Sequence, residues 1–297
     1  MGYNWARTNM KKSLYLLAFI CCVLSVACTK VDDGTNVNNG ADVKEDLSYL
    51  IKTYECCTAE DNHIYKSTWT YDGYKETSWK IYVDGQMTSE CKNYSYDGLN
   101  ASWDVYSYYN NGTSDPVHVE CEYLDESFRR VKYRKEASFH TDSSNNTIYE
   151  TYYEYNGKKR ASNKHYRNGV LTYEAHDFNY DGLHCSYILT SYSSPNVVDE
   201  ECIYDILYLD DTYLRAKSIR STTERFHQDG TSTTTTQLTV RDYDGKKPIG
   251  SQIFVNGQLS SVTRDYQYDG LTCFYYSDTY RDGEVISTQM YEVEYLE

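Results

Sequence analysis

The sequence is short of basic residues and of recognisable catalytic motifs. It has 29 Lys and Arg against 44 Asp and Glu, which gives a formal net charge of −15 at pH 7. A chain this acidic, without a basic patch, makes nucleic acid and anionic membrane surfaces poor partners. The GxSxG and HExxH motifs, the P-loop and the dinucleotide fingerprint are also absent. No catalytic residue and no cofactor is therefore indicated.

Grouped metal ligands are missing as well. The seven cysteines after Cys28 contain no CxxC pair, and the seven histidines are scattered. One local arrangement recurs, in which a histidine precedes an aspartate by two residues: His140 with Asp142, and His227 with Asp229. Both lie beside turns, where aspartate is favoured because it bonds to its own backbone. We expect no metal site.

Residues that favour β-strands dominate the rest of the composition. Tyrosine occurs 35 times in 297 residues, Thr, Ser and Val recur throughout, and helix formers are sparse. All-β barrels and sandwiches of this length often form one unit. The composition therefore predicts an all-β protein in which a single domain is feasible.

Three copies of one long pattern run through the chain. They start at Tyr71, Tyr155 and Tyr243, and each has an Asp-Gly or Asn-Gly pair at three places without any gap in the alignment. The third place reads Tyr-Asp-Gly-Leu in every copy, at 96–99, 180–183 and 268–271. Such pairs suit type I′ turns between antiparallel strands. We predict a meander with six strands per copy.

The strands expected in the middle copy are 158–167, 170–180, 183–193, 199–208, 213–227 and 232–243. The third copy stops after four strands, at Glu297, while residues 62–73 match residues 146–157. The missing pair of strands therefore stands at the start of the chain. We predict about 18 strands in three internal repeats, closed into a barrel-like ring by pairing of a final strand near 285–296 with an early strand near 47–57. Closure would remove exposed sheet edges, and an open superhelical sheet is the alternative.

One position of the repeat carries a cysteine in two copies. Cys185 and Cys273 follow the leucine of the repeated phrase by two residues, and Ala101 stands there in the first copy. A position that accepts both residue types indicates a small buried slot rather than a disulfide or a nucleophile. Since seven cysteines cannot all pair within one molecule, at least one thiol should be free.

The N-terminus has the pattern of a targeting segment. Basic residues precede an apolar run at 14–27 that is short for a permanent membrane span. Residues 24–28, Leu-Ser-Val-Ala-Cys, resemble the lipobox of bacterial lipoproteins, although leucine usually stands where Ser25 is. The resemblance implies a signal peptide at 1–27 and acylation of Cys28. A polar tether at 28–45 and a single repeat-built β domain at 46–297 would follow.

The whole chain has a wider resemblance. Its Tyr-Asp-Gly phrases loosely resemble YD-repeat proteins. Together with the lipobox and tether, the tyrosine-rich meander resembles Bacteroides-type outer-membrane lipoproteins of unknown function with a porin-like fold. This implies attachment to outer-membrane lipid through Cys28 and exposure at the cell surface, without a mechanism. A membrane-spanning barrel is disfavoured, because strands such as 74–83 carry charge.

Three functions stay open on the sequence alone. A binding or scaffold role, with a glycan or a protein as ligand, is favoured because tyrosine and tryptophan supply large contact surfaces. The expected binding loops are 193–201 and 110–116, where the copies differ. The alternatives are a carbohydrate-active hydrolase that uses paired carboxylates, and a structural envelope component. The acidic pairs considered are Glu200-Glu201, Asp210-Asp211 and Asp32-Asp33.

Overall fold

The protein is an antiparallel β-barrel in a computed structural model that describes residues 50–58, 63–109, 112–113, 116–138, 146–213, 215–245 and 247–295. Eighteen strands form the barrel, a two-residue strand, β6, adds to one hairpin, and these residues contain no helix. The strands are β1 (Ile51–Thr58), β2 (Ile64–Asp72), β3 (Lys75–Val83), β4 (Gln86–Asp97), β5 (Asn100–Tyr109), β6 (Gly112–Thr113), β7 (Val117–Tyr123), β8 (Val131–Ser138), β9 (Thr147–Asn156), β10 (Lys159–Arg167), β11 (Val170–Asp181), β12 (His184–Ser194), β13 (Val197–Tyr208), β14 (Ala216–Phe226), β15 (Ser232–Asp244), β16 (Lys247–Val255), β17 (Gln258–Asp269), β18 (Thr272–Arg281) and β19 (Glu284–Tyr295).

The barrel closes where the sequence repeat predicts it. β1 pairs with β2 on one side and with β19 on the other, so the first and last strands lie side by side. Tyr54 is opposite Val293 and Cys56 is opposite Tyr291 in this pairing. Every strand of the ring consequently has two antiparallel neighbours, and the open sheet is excluded. No helix in the described part of the chain is long and apolar enough to cross a membrane.

The two faces of the sheet differ in burial. On one face Cys185, Cys273 and Val119 are each only 1% exposed. On the other face the side chains of Lys66 and Lys92 are 44% and 46% exposed. Side chains converge on the concave side of a closed sheet and spread apart on its convex side. The first face therefore lines the lumen, and we call it the inner face; the other is the outer face.

Two kinds of turn join the strands at the two ends of the barrel. At one end Asp84 and Gly85 have φ values of 51° and 76°, so both turn residues are left-handed, as a type I′ turn requires. At the other end only Gly98 of the Tyr-Asp-Gly-Leu phrase has a positive φ, 58°, and it is the first turn residue. That φ pattern belongs to type II′ turns. The type I′ prediction is therefore wrong for these phrases.

The repeated tyrosines have a structural role at this second end, which we call the tyrosine rim. Each Tyr-Asp-Gly or Tyr-Asn-Gly tyrosine donates its hydroxyl hydrogen bond to the carbonyl of a bulged residue on the preceding strand of the ring. The six bonds are Tyr71 to Ile51, Tyr96 to Glu76, Tyr155 to Val131, Tyr180 to Arg160, Tyr243 to Ala216 and Tyr268 to Pro248, at 2.7 to 3.2 Å. The phrase therefore recurs because it ties one hairpin to the next.

The small slot predicted at the repeated cysteine is confirmed. Ala101 is 5% exposed, and Cys185 and Cys273 carry free thiols on the inner face. Burial raises the pKa of both thiols, which keeps them protonated and unreactive. The predicted signal peptide at 1–27, the acylated Cys28 and the tether at 28–45 lie outside the described residues. The first and last described residues, Leu50 and Tyr295, both lie at the tyrosine rim.

Candidate functional site

Stacked aromatic rings cover the inner face, and the stacks differ in length between repeats. In one stack Tyr266, Tyr275 and Tyr291 follow each other at 4.6 and 4.8 Å, and the ring of Tyr54 continues the row at 5.7 Å with a tilt of 48°. The next has three rings, Phe178, Tyr187 and Tyr204, at 4.5 and 4.7 Å. The last has only Tyr94 and Trp103, at 5.5 Å. The aromatic wall is therefore interrupted in one third of the barrel.

A charged cluster begins where the shortest stack ends. Val119 is opposite Trp103, at the position where the other stacks have Tyr204 and Tyr291. The guanidinium of Arg134 lies over the Trp103 ring, with its central carbon 5.9 Å from the ring centroid. An arginine side chain thus reaches over valine to a ring that stacks on tyrosine elsewhere. Guanidinium groups stack well on aromatic faces, which stabilises this arrangement.

The cluster is built on three adjacent strands as two rows of opposed residues. Strands β8, β9 and β10 place Arg134, Thr151 and His165 in one row, and Glu136, Tyr149 and Arg167 in the next. We call these six residues the β8–β10 grid. All point to the inner face, because residues that are directly opposed across a sheet lie on the same side.

An ion pair connects the two rows of the grid. Nε of Arg134 donates a hydrogen bond of 2.7 Å to Oε1 of Glu136. The two side chains are 41% and 37% exposed, so the pair faces water in the lumen rather than a dry core. Burial opposes the charged form of Arg134, but Glu136 outweighs it and raises the pKa of the guanidinium. The arginine therefore stays charged while its terminal amino groups have no hydrogen-bond acceptor among the described residues.

His165 is held in place by aromatic and polar contacts. Its ring stacks on Tyr173 at 4.5 Å with an interplanar angle of 6°, and the Tyr149 ring lies 5.7 Å away. Its Nδ1 is 2.7 Å from the hydroxyl oxygen of Thr172. Burial lowers the pKa of His165 below its ordinary value of 6.5, so the imidazole is neutral at pH 7. It offers a hydrogen-bonding ring without a charge.

The grid lines a cavity of about 230 Å³ on the inner face. Its walls are Arg134, Glu136, Tyr149, Thr151 and His165, and Thr151 is only 8% exposed. Arg167 does not line the cavity but lies next to it, with its guanidinium carbon 5.8 Å from the centroid of the Tyr149 ring. A few convergent polar groups beside aromatic rings are typical of sites for small polar ligands.

The equivalent positions in the other two repeats carry no charge. On β1–β3 the rows are Tyr54, Ser67, Ile81 and Cys56, Tyr65, Val83. On β14–β16 the rows are Ile219, Thr239, Ile253 and Ser221, Gln237, Val255. Only the centre of the first row keeps its character, since Ser67, Thr151 and Thr239 are all small, hydroxylated and buried. The barrel therefore folds without arginine, glutamate or histidine at these places, and the β8–β10 grid is a local departure from the repeat.

None of the described residues in the two loops expected to bind a ligand lines this cavity. β12 ends at Ser194 and β13 begins at Val197, so residues 193–201 contain only a two-residue turn, and the prediction of a loop there is wrong. Residues 110–116 are described only in part. The acidic pair Asp32-Asp33 and the pair His140 and Asp142 lie outside the described residues.

The other sequence candidates have structural partners. Asp229 accepts hydrogen bonds from the backbone and hydroxyl of Thr231, which explains its place beside His227. Glu200 pairs with Arg225 at 2.7 Å, and the acidic pair at 210–211 uses its first carboxylate within its own loop. No group of three or more potential metal ligands occurs within the part of the chain that the structure describes.

The charged residues of the grid were not predicted from the sequence, although part of the signal was present. The gapless alignment from Tyr71, Tyr155 and Tyr243 sets His165 against Ile81 and Ile253, and sets Arg167 against Val83 and Val255. Arg134 and Glu136 precede a connection whose length differs between copies. Their equivalents are found only from the pairing of the strands.

Comparisons with known proteins identify no family for this chain. No family model matches the chain, and no curated protein matches it. It is similar to a porin-like protein from Bacteroides vulgatus ATCC 8482, with 10% identity, a TM-score of 0.38, and coverage of 83% of this chain and 98% of that one. It is also similar to a porin-like protein from Bacteroides uniformis ATCC 8492, with 9% identity, a TM-score of 0.41 and the same coverage. Structural neighbours are thus porin-like Bacteroides proteins, while the lipoprotein assignment stays a prediction.

Proposed function

We propose that this protein is a lipid-anchored receptor for a saccharide, which it binds in the barrel lumen at the β8–β10 grid. The observation that carries the proposal is the departure from the repeat at that grid. Three copies of one scaffold share their strand register and their tyrosine bonds, yet charged side chains enter the equivalent rows in only one of them. Residues that a scaffold does not need are candidates for function.

A saccharide fits the chemistry of the grid better than a protein does. Aromatic rings such as Tyr149 and Tyr173 offer flat apolar faces to the C–H groups of a sugar ring. Arg134, Glu136 and His165 offer directional donors and acceptors to its hydroxyl groups. A cavity of about 230 Å³ on a lumen wall admits a sugar unit, whereas a folded protein partner needs a much larger accessible surface.

The anchor part of the proposal rests on Cys28 and on the position of the first described residue, Leu50. Acylation of Cys28 after removal of residues 1–27 would attach the protein to outer-membrane lipid, with residues 28–45 as the tether. Residue 50 lies at the tyrosine rim, so the tether would meet the barrel at that end. Ion pairs such as Lys66 with Glu55, at 3.2 Å, place charge on the outer face, which suits water and not acyl chains.

The anchor is tested by metabolic labelling with a fatty acid in the intact bacterium, followed by protease treatment of whole cells. We expect label on the wild-type protein and none on the Cys28→Ser variant, with the anchored barrel cleaved only on the outside of the cell. Label on the Cys28→Ser protein would contradict the anchor. Protection of the wild-type protein from protease would contradict surface exposure.

The binding site is tested on a glycan array with residues 29–297 and with a grid-exchange variant. The variant carries Arg134→Ile, Glu136→Ser and His165→Ile, the residues that β14–β16 already hold at these places. We expect at least one glycan to bind the wild type and to lose about 100-fold or more in affinity with the variant, or about 2.7 kcal/mol. The variant should remain folded by circular dichroism. Equal binding by both proteins, or none by either, would contradict the proposal.

A carbohydrate hydrolase remains a second candidate because of Glu76. This carboxylate lies on the inner face, accepts a hydrogen bond from the Tyr94 hydroxyl and interacts electrostatically with Arg134. Burial raises its pKa from 4.5 to about 7, the property of a general acid. If the bound glycan is cleaved, and Glu76→Gln and Glu136→Gln both abolish cleavage while binding persists, the protein is an enzyme. Binding without turnover leaves it a receptor.

A further inference from the structure

The β8–β10 grid has an excess of positive charge inside a strongly acidic chain. It contains two guanidinium groups, Arg134 and Arg167, and one carboxylate, Glu136. His165 adds no charge at pH 7. The chain as a whole carries a formal charge of −15, so this part of the lumen differs in sign from the molecule around it. A local excess of cation beside a cavity attracts an anionic ligand.

The two arginines of the grid are not in the same situation. Arg134 is neutralised in part by the 2.7 Å hydrogen bond to Glu136. Arg167 is exposed at the end of β10, its recorded contact is with the Tyr149 ring, and no carboxylate of the described residues lies within 4.0 Å of it. Arg167 can therefore receive an acid group beside Tyr149, which lines the cavity, without first breaking an ion pair.

Comparison with the other two repeats indicates no structural role for the charge of Arg167. The equivalent residues at the ends of β3 and β16 are Val83 and Val255. Both strands keep the pairing of their last residue with the next strand, as β10 does between Arg167 and Val170. The barrel thus tolerates a neutral β-branched residue at this place. The positive charge of Arg167 is therefore not required for the fold and is available to bind a ligand.

We propose that the saccharide recognised at the β8–β10 grid bears an acid group, a carboxylate or a sulfate, which Arg167 receives while Arg134 and Glu136 bind adjacent hydroxyl groups. This inference rests on the proposed function, because it specifies the ligand class of the same site. Guanidinium groups suit both acid groups, since their paired N–H donors match two oxygens of either one.

The experiment is calorimetric titration of the full chain, expressed with its own N-terminal segment and extracted in detergent. The probes are a hexose, the matching hexuronic acid and the matching hexose sulfate, each at two ionic strengths. We expect one acidic sugar to bind about tenfold or more tightly than the hexose, equal to about 1.4 kcal/mol, and to weaken with salt. Comparison of the uronic acid with the sulfate identifies which acid group is preferred.

Two variants of β10 distinguish the effect of Arg167 on the acid group from the general effect of removing one positive charge from the protein. Arg167→Val introduces the residue of the other repeats and should lower the affinity for the acidic sugar about tenfold or more, to the level of the hexose, with a much smaller change for the hexose itself. Lys164→Val removes the same charge from the outer face of the same strand and should change neither affinity. Equal effects of the two variants, or a hexose that binds as tightly as the acids, would overturn the inference and leave the proposed receptor intact. Absence of binding by any probe would count against both.

Discussion

The β8–β10 grid and the six equivalent positions on β14–β16 share the pairing of their strands and differ in their side chains. We call the second set the β14–β16 grid. In each, three antiparallel strands oppose the same rows, with Thr151 or Thr239 buried at the centre. The first grid adds charge and an imidazole, whereas the second offers isoleucine, serine, glutamine and valine at the same places. Burial at the centre and the bonds of the tyrosine rim are common to both. The scaffold therefore depends on what the repeats share, and the proposed saccharide site on what they do not.

The largest expected effect comes from a substitution that adds a third ring to the stack of Tyr94 and Trp103, next to the grid. Val119→Tyr gives this repeat the ring that Tyr204 and Tyr291 provide elsewhere, but Arg134 already occupies the space over Trp103. Since Val119 is 1% exposed, we expect overpacking to cost about 2 kcal/mol in urea unfolding.

The control for that change is the same substitution combined with Arg134→Ile. The pair reproduces Tyr204 and Ile219 of the neighbouring repeat, so the double variant should regain about half or more of the lost stability. A single Val119→Tyr variant as stable as the wild type would show that Arg134 and the ring do not compete for space.

A smaller effect is expected from the bonds that all repeats share. Tyr180→Phe removes the hydroxyl that donates to the Arg160 carbonyl at 3.1 Å but keeps the ring, and should cost about 1 kcal/mol in chemical unfolding. Tyr96→Phe and Tyr268→Phe should cost similar amounts, since they make the same bond in their own repeats. Tyr187→Phe, in the stacked wall, should cost clearly less. Large differences among the first three would contradict a common role.

The smallest expected effect is a pH dependence that belongs to one repeat only. Burial raises the pKa of Glu76 from 4.5 to about 7, so the folded state keeps a proton that the unfolded chain loses. The contribution of this group to stability should therefore be highest below pH 4.5, fall as pH rises through about 7, and level off above that. Because the lumen is open to water, which screens the charge, we expect a loss of only about 0.5 kcal/mol.

Glu76→Gln is the variant that isolates this dependence. The difference in unfolding free energy between variant and wild type should grow in favour of the variant from acid to neutral pH. The equivalent residues, Arg160 and Pro248, do not titrate in that range, so a Pro248→Ala variant should give a difference that is independent of pH. If the unfolding free energies of wild type and Glu76→Gln changed in parallel with pH, the assignment of this pH dependence to Glu76 would be wrong.

Much of the fold could be predicted from the sequence because the repeat is local and periodic. Turn pairs about a dozen residues apart set the strands, and the incomplete third copy indicated that β19 pairs with β1. The turn type at the Tyr-Asp-Gly phrases was predicted wrongly because Asp-Gly also serves a turn in which glycine comes first. The 193–201 segment looked like a loop because Pro195 and Asn196 suggest one, yet they occupy a tight turn between two long strands.

The site was far less accessible to prediction than the scaffold. His165 and Arg167 depart from the repeat within the gapless alignment, but alternation alone does not say which face is concave. Arg134 and Glu136 meet them only through the registers of β8 with β9 and of β9 with β10.

The sequence alone determined the strand count, the meander and the partner of the last strand, because hydrogen-bonded hairpins follow from turn residues and alternation along a short stretch of chain. The tertiary structure decided which face lines the lumen and which six side chains meet there. Curvature and register act between strands that are far apart in sequence, and no local pattern of residues encodes the distance between two side chains on different strands.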